Sequence, residues 1–265
     1  MKKLLTLFLV WPLFAAPIHN GQTFVTTFDK NFSAPTPFTT VSHIAILPIS
    51  YYAKAKKITI TIDGKPLVLT ITPKNYPKER LRVAPSKVKP PKKVQKRIEK
   101  EFVEAKRIYT HTSAQNFITK PFILPLQSPI TSSFGTARIF NGVLKSYHSG
   151  TDFKAKVGTP VRAINDGIVV LAKKRYYAGG SVIVEHGRGI YSCYYHLSKF
   201  KVKQGDFVKR GDVVGLSGKS GRVTGPHLHL TIKVKNVTVD PLQFIKAFNA
   251  HFKQSAAMQK EAKAP

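Results

Sequence analysis

Glycine punctuates the C-terminal half of this chain at intervals that leave room for strands and little else. Gly158-Thr-Pro-Val, Asp166-Gly-Ile-Val-Val and Gly205-Asp-Phe-Val-Lys-Arg-Gly-Asp-Val-Val-Gly all set turn residues between pairs of β-branched side chains. Such runs are too short for amphipathic helices and suit short strands joined by tight turns. Hardly any helical periodicity is visible before Pro241. Residues 121–248 are therefore expected to form an antiparallel all-β domain.

A second β pattern stands near the other end. Ile58, Ile60 and Ile62 alternate with threonines, Asp63-Gly64 supplies a hairpin turn, and Leu67, Leu69 and Ile71 alternate again. Half-buried antiparallel strands have this period, so residues 17–73 are read as a small β-sandwich-like domain. Residues 74–120 differ from both. Lys74 to Arg107 holds thirteen basic and four acidic residues with prolines at 77, 85, 90 and 91, followed by Val94, Ile98 and Phe102 at four-residue spacing. This stretch is expected to be a basic linker carrying one helix, docked through those three apolar residues. The Lys/Ala/Gln-rich residues 249–265 are expected to form a flexible tail. Met1-Lys2-Lys3, an apolar run and Ala15-Ala16 have the anatomy of a cleavable secretory leader over residues 1–16. That run falls short of the ~20 residues a bilayer span takes, so no stable membrane insertion is expected once the leader is removed.

Charge narrows the partners. The 265 residues hold 43 Lys+Arg against 13 Asp+Glu, and losing Lys2 and Lys3 with the leader takes the formal charge from +30 to +28. An anionic partner is implied. Nucleic acid is a poor candidate, because Lys87 to Lys100 has no interleaved aromatic on which a base could stack and the leader sends the chain out of the cytoplasm. The lone Cys193 excludes an internal disulfide framework and a Cys-rich zinc finger, and its place in a strand-like run suits a buried apolar role. Any metal must be bound by His and carboxylates.

Six acidic residues lie between 121 and 248. Asp166, Asp206 and Asp212 each adjoin a glycine in a turn-like setting, which accounts for them. Asp152 has no such reason. It follows His148 by four residues in Tyr147-His-Ser-Gly-Thr-Asp-Phe, where Ser149-Gly150 lets the backbone turn so that both side chains can face one point. In Gly225-Pro-His-Leu-His-Leu, His227 and His229 project from one face of a strand while Leu228 and Leu230 face the other way. His196 ends the run Tyr194-Tyr-His-Leu. Three of these five groups would make a His₂Asp set with a fourth position open, the arrangement of a catalytic zinc site, and two imidazoles would remain for proton transfer.

These motifs stand in a familiar order. Ser132-Ser-Phe-Gly-Thr-Ala-Arg, His148-Ser-Gly-Thr-Asp, Gly158-Thr-Pro-Val, Tyr194-Tyr-His-Leu-Ser, Gly205-Asp-Phe-Val-Lys-Arg-Gly and Thr224-Gly-Pro-His-Leu-His resemble the LytM/lysostaphin-type zinc endopeptidases of peptidoglycan over roughly Pro129 to Pro241. The β-rich region and the Tyr76-Pro-Lys-Glu-Arg-Leu stretch before it resemble the N-terminal part of Gram-negative secreted members. The resemblance implies His148, Asp152 and His229 as ligands of one Zn²⁺ per chain, with His196 and His227 as an unliganded catalytic pair. It implies a metallo-endopeptidase acting on peptidoglycan in a Gram-negative periplasm, most simply on the D-Ala–meso-diaminopimelate cross-link. A D,D-carboxypeptidase and a catalytically silent activator of another wall hydrolase are the alternatives the family offers. A monomer is expected. One departure stands out: Thr231 occupies a position where family members often carry an acidic residue.

Overall fold

The computed structural model describes residues 16–261. The expected leader, Ala16 aside, lies outside the described residues. The chain is mainly β, as expected, with two α-helices among the described residues: α1 (Lys92–Thr110) and α2 (Pro241–Glu261).

The predicted hairpin forms from Lys56–Ile62 and Lys65–Thr72, with Ile60 opposite Leu67 and Ile58 opposite Leu69. Asp63 and Gly64 both have positive φ, +50° and +77°, the turn geometry whose twist matches that of paired strands. The Asp63 carboxylate accepts the backbone N–H groups of Asp29, Lys30 and Asn31, which pulls its pKa down. Ile58, Ile60, Leu69 and Ile71 pack with Ile18 and Leu47.

The strand Ile44–Pro48 is buried along its whole length. Its alternation explains why: Leu47 faces the hairpin sheet, whereas Ile44 and Ile46 enter the core shared with Phe153, Val182, Phe244 and Phe248. The N-terminal β region is thus fused to the C-terminal one through a common core. Gln243 of α2 reinforces the junction, accepting the N–H of Thr23 at 2.8 Å and donating to its carbonyl at 2.9 Å.

Three expectations for the connecting segments are corrected. Residues 74–120 are more than a linker, because Lys78–Leu81 pairs in parallel with Ala137–Phe140. Helix α1 does form, but Phe102 is 67% exposed while Ala105 and Tyr109 are buried. Residues four apart advance ~40° beyond a full turn at each step, so the Val94–Ile98–Phe102 row drifts off the buried face and Ala105 and Tyr109 replace it. Finally, the residues expected as a loose tail continue α2 to Glu261, with Phe252 packed on the core and Ser255 buried.

The large C-terminal sheet is antiparallel throughout. Its central strands run Gly167–Arg175, Gly179–Glu185, Ile190–Leu197, His227–Val234, Thr151–Lys154 and Ile130–Ser132 in spatial order. Leu228, Leu230, Ile232 and Val234 point from one face into the core, where they are essentially buried. The opposite face carries His227, His229, Thr231 and Lys233. Helix α1 covers part of that second face, packing Ala105 and Tyr109 on Leu171, Ile183, Tyr191 and Cys193.

Candidate active site

Register brings the first pair of candidate residues together. Thr151–Lys154 pairs with His227–Val234 so that Asp152 lies opposite His229 and Lys154 opposite His227. Directly opposed residues share a sheet face, which places the Asp152 carboxylate against the His229 ring. His148 comes from the turn just before. A Cβ added at Gly150 would meet the Leu230 carbonyl oxygen at 2.2 Å and His229 Nε2 at 2.5 Å. Gly150 is needed because the backbone passes this close to His229; the freedom to turn, expected from the sequence, is the lesser reason.

His148, Asp152 and His229 each present one donor atom, all within 4.8 Å of one another. Asp152 Oδ1 lies 2.9 Å from His148 Nε2 and 2.8 Å from His229 Nδ1, and the two ring nitrogens are 2.9 Å apart. All three residues are buried. The outward nitrogens determine what faces inward. His148 Nδ1 donates to the Ser133 carbonyl at 2.9 Å. The Thr231 hydroxyl donates to the Ser149 carbonyl at 3.1 Å and so accepts from His229 Nε2 at 2.8 Å. Burial, outweighing the attraction of Asp152, pushes His229 down to about 4, so its ring is neutral at pH 7. With Nε2 protonated, its Nδ1 is a lone pair; His148, whose Nδ1–H is given to the Ser133 carbonyl, turns its Nε2 inward. Burial raises the Asp152 carboxyl, but the two imidazoles beside it more than offset this and keep it ionised far below the usual carboxylate range. Two ring nitrogens and a carboxylate oxygen thus converge from three stretches of chain at 2.8–2.9 Å from one another. The donor chemistry and spacing therefore fit a divalent metal.

Thr231 thus does for His229 what an acidic neighbour does elsewhere: it fixes the tautomer. Asp152 is steadied from its other oxygen. Arg138 Nη2 donates to Asp152 Oδ2 at 3.1 Å and to Ser132 Oγ at 2.9 Å, while Arg138 Nε pairs with Glu79. Arg138 lay within a motif singled out in the sequence, yet its role was not legible there. Glu79 lies in the quoted Tyr76-Pro-Lys-Glu-Arg-Leu stretch, but nothing there pointed to the site, since only the parallel pairing of Lys78–Leu81 with Ala137–Phe140 brings it near.

The two remaining histidines stand beside this trio. His196 has φ +64°, a left-handed conformation that a non-glycine residue adopts at a cost and that recurs at functional sites. Its Nδ1 donates to the Ser220 carbonyl at 2.8 Å, and His227 Nδ1 donates to the Gly225 carbonyl at 2.9 Å. Neither ring's Nε2 has a hydrogen-bond partner among the described residues. The ring centroids lie 4.8 Å apart, and His227 Nε2 is 3.7 Å from Asp152 Oδ1. Burial, then the neighbouring His229 and His227, pushes His196 down to about 3. Both rings line a cleft of about 170 Å³ together with Arg138, Asp152, Arg222 and residues of the Lys78–Leu81 strand.

All five residues singled out in the sequence are brought into one neighbourhood. His186 shows the contrast. It is fully buried, but its nitrogens are taken by the Asp166 carbonyl at 2.7 Å and Ser192 Oγ at 2.8 Å, so it is a satisfied core histidine. His19 and His43 lie away from the cluster, with partners at Thr72 and Phe28.

Residues 146–241 match the model of Peptidase family M23. Over 96 residues the chain is 47% identical to the peptidoglycan DD-endopeptidase ShyA of Vibrio cholerae, a match covering 36% of this chain and 22% of that protein. It is 46% identical over 112 residues to the glycyl-glycine endopeptidase ALE-1 of Staphylococcus capitis, covering 40% of this chain and 31% of the relative. The chain therefore spans a minor part of the length of these curated relatives. A Pseudomonas aeruginosa structure assigned to peptidase M23 superposes with a TM-score of 0.64 at 29% identity, covering 86% of this chain and 95% of that one. That likeness takes in the N-terminal β region as well as the histidine-bearing domain.

Proposed function

We propose that this chain, whose residues 146–241 match Peptidase family M23, is a zinc-dependent peptidoglycan hydrolase that cleaves peptide cross-links of the cell wall. The observation that carries this reading is the convergence of His148 Nε2, Asp152 Oδ1 and His229 Nδ1, each fixed as a donor by its outer hydrogen bonds, beside two imidazoles with free Nε2 atoms. In this reading those three atoms hold one zinc ion per chain. A zinc ion there supplies a Lewis acid that polarises a carbonyl and acidifies water.

The protein's own groups do the rest. The backbone carbonyls of Ser220 and Gly225 hold Nδ1–H of His196 and His227, so each ring offers its Nε2 to the cleft as a proton acceptor. A proton taken from water at one Nε2 turns that ring into an imidazolium, which can donate to the developing oxyanion and then to the leaving amine. Retention of both rings together with the trio favours an active hydrolase over a silent regulator.

The substrate assignment draws on the relatives. ShyA is named a peptidoglycan DD-endopeptidase, and a further match, Mpg of Neisseria meningitidis, is named a DD-carboxypeptidase/endopeptidase. We assign this chain the D-Ala–meso-diaminopimelate bond, with trimming of pentapeptide stems as the neighbouring activity. The +28 charge suits a carboxylate-rich wall polymer in the periplasm, and a leader over residues 1–16 would deliver the chain there. Among the described residues no helix is long and apolar enough to cross a membrane. The monomer is retained as the working state.

Digestion of purified sacculi, with mass analysis of the fragments and a chelator control, tests the proposal. His229→Ala should lose both zinc and activity, whereas His196→Ala and His227→Ala should keep zinc and lose turnover. A zinc-loaded protein that releases nothing from sacculi refutes the hydrolase reading.

A further inference from the structure

The sheet face that carries the histidines continues past them into a second hollow. Along His227–Val234, Thr231 and Lys233 follow His229 on the same face, and α1 crosses above them. Between helix and sheet lies a cavity of about 450 Å³, walled by Lys106 and Tyr109 from α1 and by Arg175, Tyr195, Thr231 and Lys233 from the sheet. It adjoins the metal-ligating trio directly: Thr231 is the hydrogen-bond partner of His229, and the Tyr195 ring stacks on His229 at 5.6 Å and 14°.

The wall chemistry is one-sided. Three cationic side chains line the cavity and no Asp or Glu does. Lys233 Nζ donates to Thr238 Oγ1 at 2.6 Å and lies 4.7 Å from the centre of the Tyr109 ring. Arg175 Nη2 reaches only the backbone carbonyl of Glu101, at 3.3 Å, and its Nε is buried without a partner. Among the described residues, neither Lys233 nor Arg175 has a carboxylate within ion-pair distance. Glu101 attracts Arg175 from beyond ion-pair distance, and Lys233 has no carboxylate partner; desolvating a cation without a paired counter-ion is costly, and the cost is recovered when an anion enters. Burial pushes the Lys233 ammonium down, in keeping with that missing partner. The aromatic walls, with Phe102 at the rim, suit an aliphatic stem more than a fully hydrated inorganic ion.

We propose that this cavity is a subsite for a free carboxylate on the peptide substrate, held by Lys233 and Arg175 while the stem lies against Tyr109 and Tyr195. The proposal rests on the peptidase reading above and names a recognition element for it. Lys233 and Arg175 are binding residues here, so their loss should raise KM and leave kcat nearly unchanged.

The test uses the zinc-loaded full chain and two synthetic cross-linked stem peptides, one with free carboxylates and one with every carboxylate converted to the amide. Binding is read by calorimetry in the His227→Ala background, where turnover is blocked, and KM and kcat are read in the unsubstituted chain. The acid should bind about tenfold or more tighter than the amide, the range for a charge-assisted hydrogen bond. In Lys233→Met and Arg175→Gln that preference should shrink to about twofold, with zinc content unchanged and melting temperatures no lower than that of the unsubstituted chain. Equal binding of acid and amide by the unsubstituted pocket overturns the proposal, as does a preference that survives in both variants. If the acid is preferred through Lys233 but neither peptide is ever cleaved, the subsite stands and the hydrolase reading falls.

Discussion

Thr231→Val isolates the smallest part of the site on which metal binding depends. The substitution keeps the side chain's shape and removes the hydroxyl that accepts from His229 Nε2 at 2.8 Å and donates to the Ser149 carbonyl at 3.1 Å. Two consequences compete. A stranded buried N–H costs about 1–3 kcal/mol. The ring can escape most of that cost by moving its proton to Nδ1, where Asp152 Oδ1 waits at 2.8 Å. That escape protonates the very atom needed as a metal donor. The burden therefore falls on zinc affinity, which should weaken by about 10–100-fold, the usual effect of losing a ligand's outer partner. That is roughly 1.4–2.8 kcal/mol. The metal-free protein should lose only about 1 kcal/mol, or some 2–4 °C of melting temperature for a chain of this size. Zinc affinity is measured by competition with a chromophoric chelator, and stability by thermal unfolding with and without metal. Thr231→Ser should restore both values. If Thr231→Val binds zinc within about twofold of the unsubstituted chain, the tautomer argument is wrong.

Two further outcomes follow from the same geometry. Gly150→Ala would set a Cβ 2.2 Å from the Leu230 carbonyl oxygen and 2.5 Å from His229 Nε2, so strand and ring must shift. We expect about 1–3 kcal/mol of lost stability in unfolding experiments, together with loss of stoichiometric zinc by atomic absorption. Acid should destabilise the chelated protein well before the carboxylates titrate. His186, held down to about 4 by burial, is neutral when folded and takes up a proton on unfolding below its ordinary value of 6.5. Its contribution is complete above pH 6.5 and is lost as pH falls toward 4, at about 1.4 kcal/mol per pH unit. Urea midpoints should trace that decline, and His186→Gln should flatten part of it; a profile level from pH 7 to 4 would show that the ring is not buried neutral.

The sequence alone determined the chemistry and much of the local structure. Alternation in Ile58–Ile71 and the positive-φ dipeptide Asp63-Gly64 specify a hairpin through neighbours in the chain. The two-residue period of a strand puts His227 and His229 on one face whatever surrounds them. His148 and Asp152 are likewise close in sequence, so their meeting asks little of the fold. What depended on residues far apart in the chain could not be read. No local pattern announces that Glu79 pairs with Arg138, that Ile44–Pro48 is buried on both faces, or that α1 lies over the strand carrying Lys233. Even the docking face of α1 was misjudged, since a four-residue spacing drifts from the helical period and only the partner surface selects which residues are buried. Residue types and short spacings name the donor atoms. The packing of distant segments decides which lone pairs face one another, because a tautomer is set by its outer hydrogen bonds, and those come from whichever backbone the fold brings alongside.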